Sequence, residues 1–165
     1  MDAGILNHGR EMTDQESLKS SICRYLVQHT TLSLATCHDS RPWSTDLFYA
    51  SDDSCRLYFV SGVTARHCQH IADNPQVSAS ISGQFDDWRD IKGLQLDGVA
   101  SVVSESDRDG VIDRYLTKFP ALKSLHQASE LFALLWKSHF YCISPKWMRL
   151  IDNSKGFGHK DEMVF

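Results

Sequence analysis

The stretch V-S-G-V-T-A-R-H-C-Q-H-I-A-D-N-P, residues 60–75, combines the end of a strand, a turn and a short helix. The apolar run that ends at Ser61 predicts a strand, and Gly62 permits a tight turn after it. Thr64 is a suitable N-cap residue, so the pattern predicts a helix over 64–73 that ends before the following proline. A short helix directly after a strand makes its first turn a candidate binding site.

Two cationic residues, Arg66 and His67, lie in the first turn of this predicted helix. The N-terminus of a helix carries partial positive charge, so cations are normally favoured at the opposite end. A bound anion such as phosphate would resolve the conflict, because it accepts backbone N–H bonds and charge-assisted bonds from the guanidinium. A solvated surface helix, whose charged side chains point into water, is the alternative, and both interpretations remain open from this stretch alone.

Composition indicates one ordinary globular domain: 165 residues, 42% hydrophobic, 23% charged, with a net charge of −4. The absence of a basic block argues against nucleic-acid binding, and no apolar run is long enough to span a membrane. The first residues lack the basic and apolar regions of a secretory signal. Five cysteines, an odd number without C-x-x-C spacing, argue against a disulfide framework and favour a reducing, cytoplasmic location.

A metal site is not expected in R-H-C-Q-H, because positions i, i+1 and i+3 do not share one helix face. Cys68 and Ile71 are expected to pack inward instead. A nucleophilic triad is not expected either, since the sequence has no G-x-S-x-G motif.

Hydrophobic periodicity and turn residues define the predicted elements. Helices are predicted at 14–29, 64–73 and about 106–119, with further helical turns at 121–130; strands are predicted at 31–38, 43–50, 56–61, 76–82, 91–104, 132–143 and 146–152. Because most neighbouring strands are joined by hairpins, the sheet should be mainly antiparallel and form a closed or nearly closed barrel. The predicted organisation is a frayed start (1–13), one barrel domain (14–152) and a C-terminal flap or tail (153–165).

The tail contains D-N-S-K-G-F-G-H-K, in which two glycines flank Phe157 and several basic residues follow closely. It does not match G-x-G-x-x-G and no βαβ unit surrounds it, so a Rossmann site is rejected. A disordered tail and a flap that closes over an anionic or aromatic ligand are both compatible with this composition.

The strand order and three motifs together resemble the pyridoxamine 5′-phosphate oxidase-like FMN-binding split barrels. The motifs are T-A-R-H (64–67), G-L-Q-L-D-G (93–98) and D-N-S-K-G-F-G-H-K (152–160), and within the superfamily the chain most resembles the bacterial YhbP-like proteins. The likeness covers roughly residues 14–160. It implies a mainly β fold, a six- to seven-stranded antiparallel barrel of Greek-key type, that forms a homodimer with FMN in two clefts at the interface.

Carried over by position, the resemblance places Arg66 on the phosphate-binding arginine and Ser61 at the end of a strand that lines the cofactor. Gln95 and Trp147 fall on strands that reach the cofactor of the other subunit. The candidate cofactor-binding residues are Ser44, Thr45, Val60, Ser61, Thr64, Arg66, His67, Gln95, Trp147, Lys155 and Phe157; no catalytic residue is assigned.

The chain departs from the oxidase pattern at the phosphate. Ala65 and His67 replace a serine and a lysine, and Thr45 and Ala50 lie near the positions of an arginine and a lysine on the second strand. The resemblance therefore implies an FMN-dependent oxidoreductase for a small molecule, rather than oxidation of pyridoxine 5′-phosphate.

Two alternatives remain: a dimer that binds haem or another planar ligand without turnover, with His159 as candidate axial ligand, and a structural or stress-response dimer with a vestigial cleft.

Overall fold

The computed structural model describes residues 13–122 and 138–165. Almost all of the predicted frayed start, most of the helical turns predicted at 121–130 and the first part of the strand predicted at 132–143 lie outside these ranges. The described helices are α1 (Asp14–Gln28), α2 (Arg66–Asp73) and α3 (Glu105–Lys118). The strands are β1 (Thr31–His38), β2 (Arg41–Phe48), β3 (Ala50–Ser51), β4 (Leu57–Ser61), β5 (Gln76–Ser82), β6 (Lys92–Val102), β7 (His139–Asp152) and β8 (Lys160–Val164).

Helix α1 begins where the sequence predicts it, because a capping box fixes its first turn. The Glu16 N–H donates to the Thr13 hydroxyl at 3.2 Å, and the Thr13 N–H donates to the Glu16 carboxylate at 2.9 Å. Ile22 and Leu26, one turn apart, are fully buried against the sheet. The helix thereby covers one side of the main core.

All strand pairings in the described residues are antiparallel. The sheet has eight strands in the order β2-β1-β5-β6-β7-β4-β3, with β8 paired to β7 outside this path. Flanked by the described helices, this sheet curls into an antiparallel half-barrel. The predicted fold class is confirmed. The structure has one strand more than the seven predicted, because the strand predicted at 43–50 divides into β2 and the two-residue β3.

Strand β7 runs continuously through Pro145, so the prediction of two separate strands over 132–143 and 146–152 is wrong. One edge of β7 pairs with β4 over residues 139–143 and with β8 over residues 147–151. Pro145 lies between these two pairings and opposite a register shift in β6. A residue without an N–H is tolerated at such a break in the ladder, so proline does not end the strand.

Gly98 lies inside the strand predicted at 91–104, and a glycine within a strand predicts a bulge or a close approach. The register shift in β6 occurs at this residue. A Cβ atom at this position would overlap the carbonyl oxygen of Ser144 and lie 3.0 Å from Cα of Pro145. The prediction is confirmed, and the glycine permits β6 and β7 to stay paired across the bulge.

The C-terminal segment is folded against the barrel. Residues Asn153–Lys155 form a 3-10 turn, and β8 pairs antiparallel with β7. The sequence did not predict β8, because only Met163 of its five residues is buried. Gly156 and Gly158 have φ angles of 142° and 70°, a region that favours glycine, and they form the connecting turn.

Two hydrophobic clusters stabilise the domain. The larger fills the half-barrel beneath α1 and includes Leu34, Leu57 and Ile143, all fully buried. The smaller joins Tyr115 of α3 to Phe140 of β7. Helix α3 therefore packs on the part of the sheet formed by β3, β4 and β7.

Candidate functional site

Helix α2 starts two residues later than predicted, and Thr64 is not its N-cap. The N–H of Ala65 donates to the carbonyl oxygen of Gly62 at 2.9 Å, which closes a turn just before the helix. Ala65 therefore occupies the cap position, where it has no side-chain acceptor, and Thr64 is exposed beside it. The first-turn N–H groups of α2 thus receive no side-chain cap from Ala65 and are able to donate hydrogen bonds to an anionic ligand.

Arg66 is the first residue of α2, and its side chain is exposed. Its guanidinium carbon lies 4.3 Å from the centre of the Trp43 ring, and its Nε donates to His70 Nε2 at 3.4 Å. Among the residues that the structure describes, no carboxylate forms an ion pair with Arg66. An aromatic ring therefore holds the cation in place, and no carboxylate of the described residues neutralises it.

His67 lies on the inner side of the same turn. It is 7% exposed, and its Nε2 lies 2.9 Å from the hydroxyl of Ser61 at the end of β4. Burial, and secondarily the nearby His70, lowers the pKa of His67 below its ordinary value of 6.5. His67 therefore contributes less positive charge to the helix start than an exposed histidine would, and it is a hydrogen-bonding partner of Ser61.

Two further histidines lie beside Arg66: His70 contacts its side chain, and His38 stacks on His70. His70 is 6% exposed, and its Nδ1 lies 3.1 Å from the hydroxyl of Thr36 in β1. The ring of His38 stacks on His70 with centroids 5.5 Å apart, and His38 Nδ1 lies 3.2 Å from the Asp73 carboxylate. A groove of about 570 Å³ is lined by His38, His70 and Asp73 together with Asp39, Arg41, Arg66 and Gln69. The groove is large enough for a small phosphorylated ligand.

A second groove, of about 410 Å³, lies on the open face of the sheet and contains Ser44, Gln95 and Trp147. Two lateral rows of paired residues cross this face from β2 to β7. The first row is Ser44, Ala35, Ser78, Asp97 and Trp147; the second is Asp46, Ser33, Ser80, Gln95 and Arg149. Small side chains in the middle of both rows leave a flat, polar surface that Trp147 borders at one end.

Trp147 and Arg149 are fixed by the C-terminal strand. The Arg149 guanidinium lies 4.8 Å from the Trp147 ring centre and forms an ion pair with Glu162 of β8 at 2.8 Å. The indole N–H of Trp147 also donates to Glu162, at 3.4 Å. Strand β8 therefore sets the position of the aromatic border.

Thr45 and Val60 are placed differently from the other candidates. Thr45 is half-buried and, by strand alternation, faces the same side of β2 as Trp43 and the opposite side from Ser44. Val60 packs against the cluster beneath α3. Thr45 thus lies on the face of β2 that carries Trp43, whereas Val60 contributes to packing.

Lys155 and Phe157 lie in a third place. Lys155 Nζ and His159 Nε2 contact the same Asp161 carboxylate, at 3.2 Å and 3.1 Å. Phe157 is 84% exposed and meets Trp88 edge-on, with ring centroids 5.4 Å apart. Lys155 also lines a groove beside α1. Within one chain, the tail residues therefore do not join the groove around Arg66.

The structure accordingly brings together Ser61, Thr64, Arg66 and His67 at the start of α2, and groups Ser44, Gln95 and Trp147 on the sheet face. Sequence reasoning did not assign Trp43, His70, Thr36 and His38 to the site. His70 could have been found, since it lies one helical turn after Arg66 on the same face. The other three come from β1 and β2, and only the tertiary fold reveals them.

Within residues 13–122 and 138–165, no group of three or more histidine, cysteine, aspartate or glutamate side chains is arranged to hold a metal ion. No helix in the same ranges is long and apolar enough to cross a membrane.

The antiparallel half-barrel with flanking helices is a split barrel of the pyridoxamine 5′-phosphate oxidase-like type. The family model of pyridoxamine 5′-phosphate oxidase matches residues 19–138, and the chain belongs to this family.

A UPF0306 protein of Photorhabdus laumondii is 28% identical over 141 residues, which cover 84% of this chain and 90% of that protein. A haem-binding protein from Mycobacterium smegmatis has the same fold, with a TM-score of 0.68, 17% identity and coverage of 88% of this chain and 57% of the other. An FAD-binding protein from Mesorhizobium loti gives a TM-score of 0.62 at 19% identity, covering 78% and 90%.

Proposed function

We propose that this protein is an FMN-binding flavoprotein whose α2 start holds the FMN phosphate. The observation that carries the proposal is Arg66, a cation fixed against Trp43, without a carboxylate partner among the described residues, beside N–H groups that no side chain caps. Membership of the pyridoxamine 5′-phosphate oxidase family supports a flavin as the ligand. A phosphate at this position would gain the guanidinium and the helix N–H groups together.

Ser61 and Thr64 supply hydroxyl groups to the same phosphate. When the proton of His67 is on Nε2, the ring donates to Ser61 Oγ and leaves the Ser61 hydroxyl hydrogen for a ligand. Because His67 is buried, this orientation is kept without adding a second charge. The residues present therefore fit one phosphate, held by one strong cation, two hydroxyl groups and backbone N–H donors.

The flat face that contains Ser44, Gln95 and Trp147 is proposed to receive the ring system. Its small central side chains permit close approach of a planar group, and Trp147 offers a stacking partner at the border. This face and the α2 groove belong to different parts of one chain, so we propose a homodimer in which one copy supplies the phosphate site and the other the sheet face.

When bound, FMN supplies hydride or electron transfer to a small-molecule substrate. The chain orients the cofactor and excludes water from it; none of the described site residues is assigned as an acid or base. The five free cysteines favour a reducing, cytoplasmic location for this proposed oxidoreductase.

The test is a comparison of FMN with riboflavin, which lacks the phosphate. The absorbance spectrum of freshly purified protein should show flavin, or added FMN should shift its spectrum at tens of micromolar protein. Riboflavin should bind at least tenfold more weakly, because it forgoes the charge-assisted bonds of Arg66. Colourless protein that leaves the FMN spectrum unchanged would contradict the proposal.

Haem is a second candidate, because a haem-binding protein shares this fold. His159 would be its axial ligand; it is partly exposed but bonded to Asp161, so ligation would replace that bond. A Soret shift on adding haem, lost in His159→Ala and kept in His29→Ala, would favour haem over flavin. A stable dimer that binds neither ligand would instead indicate a structural or stress-response role.

A further inference from the structure

Two cysteines that are distant in sequence meet at the edge of the main core. Cys23 Sγ of α1 lies 3.2 Å from Cys55 Sγ in the turn between β3 and β4. A disulfide bond is about 2.05 Å long, so the sulfur atoms need to approach by only about 1 Å to bond. Neither residue belongs to the candidate cofactor site, and the odd cysteine count had concealed the pair.

The turn that carries Cys55 is built to hold it in place. Cys55 has a φ of 60°, an uncommon conformation for a residue with a side chain. Its N–H donates to the Asp52 carbonyl oxygen at 2.9 Å, and the Asp52 carboxylate accepts the N–H groups of Ser54 and Arg56 at 2.9 Å and 3.0 Å. The local backbone therefore directs the Cys55 sulfur toward α1 while both thiols are free.

The two thiols differ in exposure, and this difference fixes their roles. Cys23 is half-buried, whereas Cys55 is fully buried. Burial, followed by the contact with Cys23, raises the pKa of Cys55 to about 12. An oxidant from solution therefore reaches Cys23 first, and Cys55 is the partner that resolves the product.

We propose that Cys23 and Cys55 form a peroxide-sensitive thiol pair that closes to a reversible disulfide. The oxidant is a hydroperoxide: the Cys23 thiolate attacks its O–O bond, forming a sulfenic acid and releasing water or an alcohol after proton uptake. The Cys55 sulfur then attacks the Cys23 sulfur, the S–O bond breaks, and the Cys55 proton leaves with the hydroxide as water. Together the two thiols lose two electrons, and the O–O bond of the hydroperoxide gains them as it breaks.

The disulfide would tie α1 to the turn between β3 and β4. Residues Asp14, Ser17 and Ser21 of α1 line the groove that contains Lys155 of the tail. Oxidation would therefore fix the helix beside the C-terminal turn, and reduction by a thiol would release it. This switch does not depend on FMN binding.

Full-length protein should be treated with graded hydrogen peroxide under native conditions, alkylated, digested without reduction and mapped by mass spectrometry. We expect the five alkylatable thiols to fall to three and one peptide pair joining Cys23 to Cys55 to appear. Dithiothreitol should restore all five thiols. Cys37→Ser, a matched change at another half-buried cysteine, should leave the cross-link intact.

Cys23→Ser is a second test, and it leaves the fully buried Cys55 unchanged. In this variant the cross-link should be absent, and Cys55 should stay alkylatable after unfolding at the peroxide dose that oxidises the wild type. The proposal is overturned if Cys23 proceeds to sulfinic acid while Cys55 stays free, or if cross-links scatter among all five cysteines.

Discussion

The guanidinium of Arg66 stacks on the ring of Trp43, with its central carbon 4.3 Å from the ring centre. This contact joins the first residue of α2 to β2, the strand at one end of the sheet order. It holds a cation beside an uncapped helix start without neutralising it. The arrangement explains why a helix can begin with an arginine despite the unfavourable dipole.

Removal of the Trp43 ring should loosen Arg66 and weaken FMN binding. A cation–π contact at a partly exposed site contributes about 0.5–1 kcal/mol, so Trp43→Ala should raise the Kd by roughly two- to fivefold. Isothermal titration measures this change. Phe48→Ala removes an exposed ring on the same strand that contacts Phe119 instead, and its Kd should match the wild type. An equal loss in both variants would refute a specific role for Trp43.

His67 should make stability depend on pH in a defined window. Because its folded-state pKa is lowered below 6.5, the unfolded chain binds a proton first as the pH falls. The stability associated with neutral His67 is complete above the unfolded pKa and is lost as the pH falls toward the folded pKa. His67→Gln keeps a donor for Ser61 but cannot titrate. Urea unfolding at about pH 7.5 and about pH 5.5 should show a smaller loss in the variant than in the wild type.

Asp52 should be a stabilising buried carboxylate. Burial alone would raise its pKa, but hydrogen bonds from Arg56 and Tyr58 outweigh burial and lower it. Asp52→Asn should cost about 1–3 kcal/mol in the free energy of unfolding. The wild type should lose this advantage as the pH falls from about 5 to about 3, and chemical denaturation across that range tests it. Asp53→Asn is the adjacent exposed control, and a parallel pH profile for both variants would speak against the assignment.

Gly98 and Gly110 should respond to alanine in opposite directions. At Gly98 the added methyl would meet the Ser144 carbonyl oxygen, so Gly98→Ala should destabilise the fold by about 1–3 kcal/mol. At Gly110, within α3, nothing lies within 4 Å, and Gly110→Ala should stabilise by up to about 1 kcal/mol. Thermal unfolding compares the two, and a Gly98→Ala protein as stable as the wild type would exclude the close approach.

Local patterns predicted the elements whose signals are local. The capping box at Thr13, the strand alternation and the first helical turn at Arg66 could be read from neighbouring residues. Thr64 was wrongly predicted as the N-cap, because a hydrogen bond from the Ala65 N–H to the Gly62 carbonyl oxygen closes a turn that moves the helix start. Residue preference at Thr64 does not reveal this bond. The sequence predicted a break between two strands at Pro145. That prediction failed because a strand tolerates proline only where its partners change, and the partners are set by the tertiary fold.

The candidate site was predictable only where its residues follow from local sequence patterns. Arg66 and Ser61 follow from the strand–turn–helix pattern, whereas the burial of His67 and the stacking of Trp43 depend on the packing of β1, β2 and β4. Strand β8 was missed because its mostly polar sequence gives little hydrophobic signal. The contact of Cys23 with Cys55 joins residues 32 positions apart and cannot be read from spacing.

The role proposed for Arg66 is to hold the phosphate of FMN. It is tested by the Kd of Arg66→Ala for FMN and for riboflavin, with Arg24→Ala on α1 as the matched control. We predict that Arg66→Ala weakens FMN binding by roughly 1.5–3 kcal/mol, about ten- to more than a hundredfold, and leaves the Kd for riboflavin unchanged, while Arg24→Ala binds both ligands as the wild type does. An FMN Kd of Arg66→Ala equal to that of the wild type would remove Arg66 from the site and contradict the proposed role.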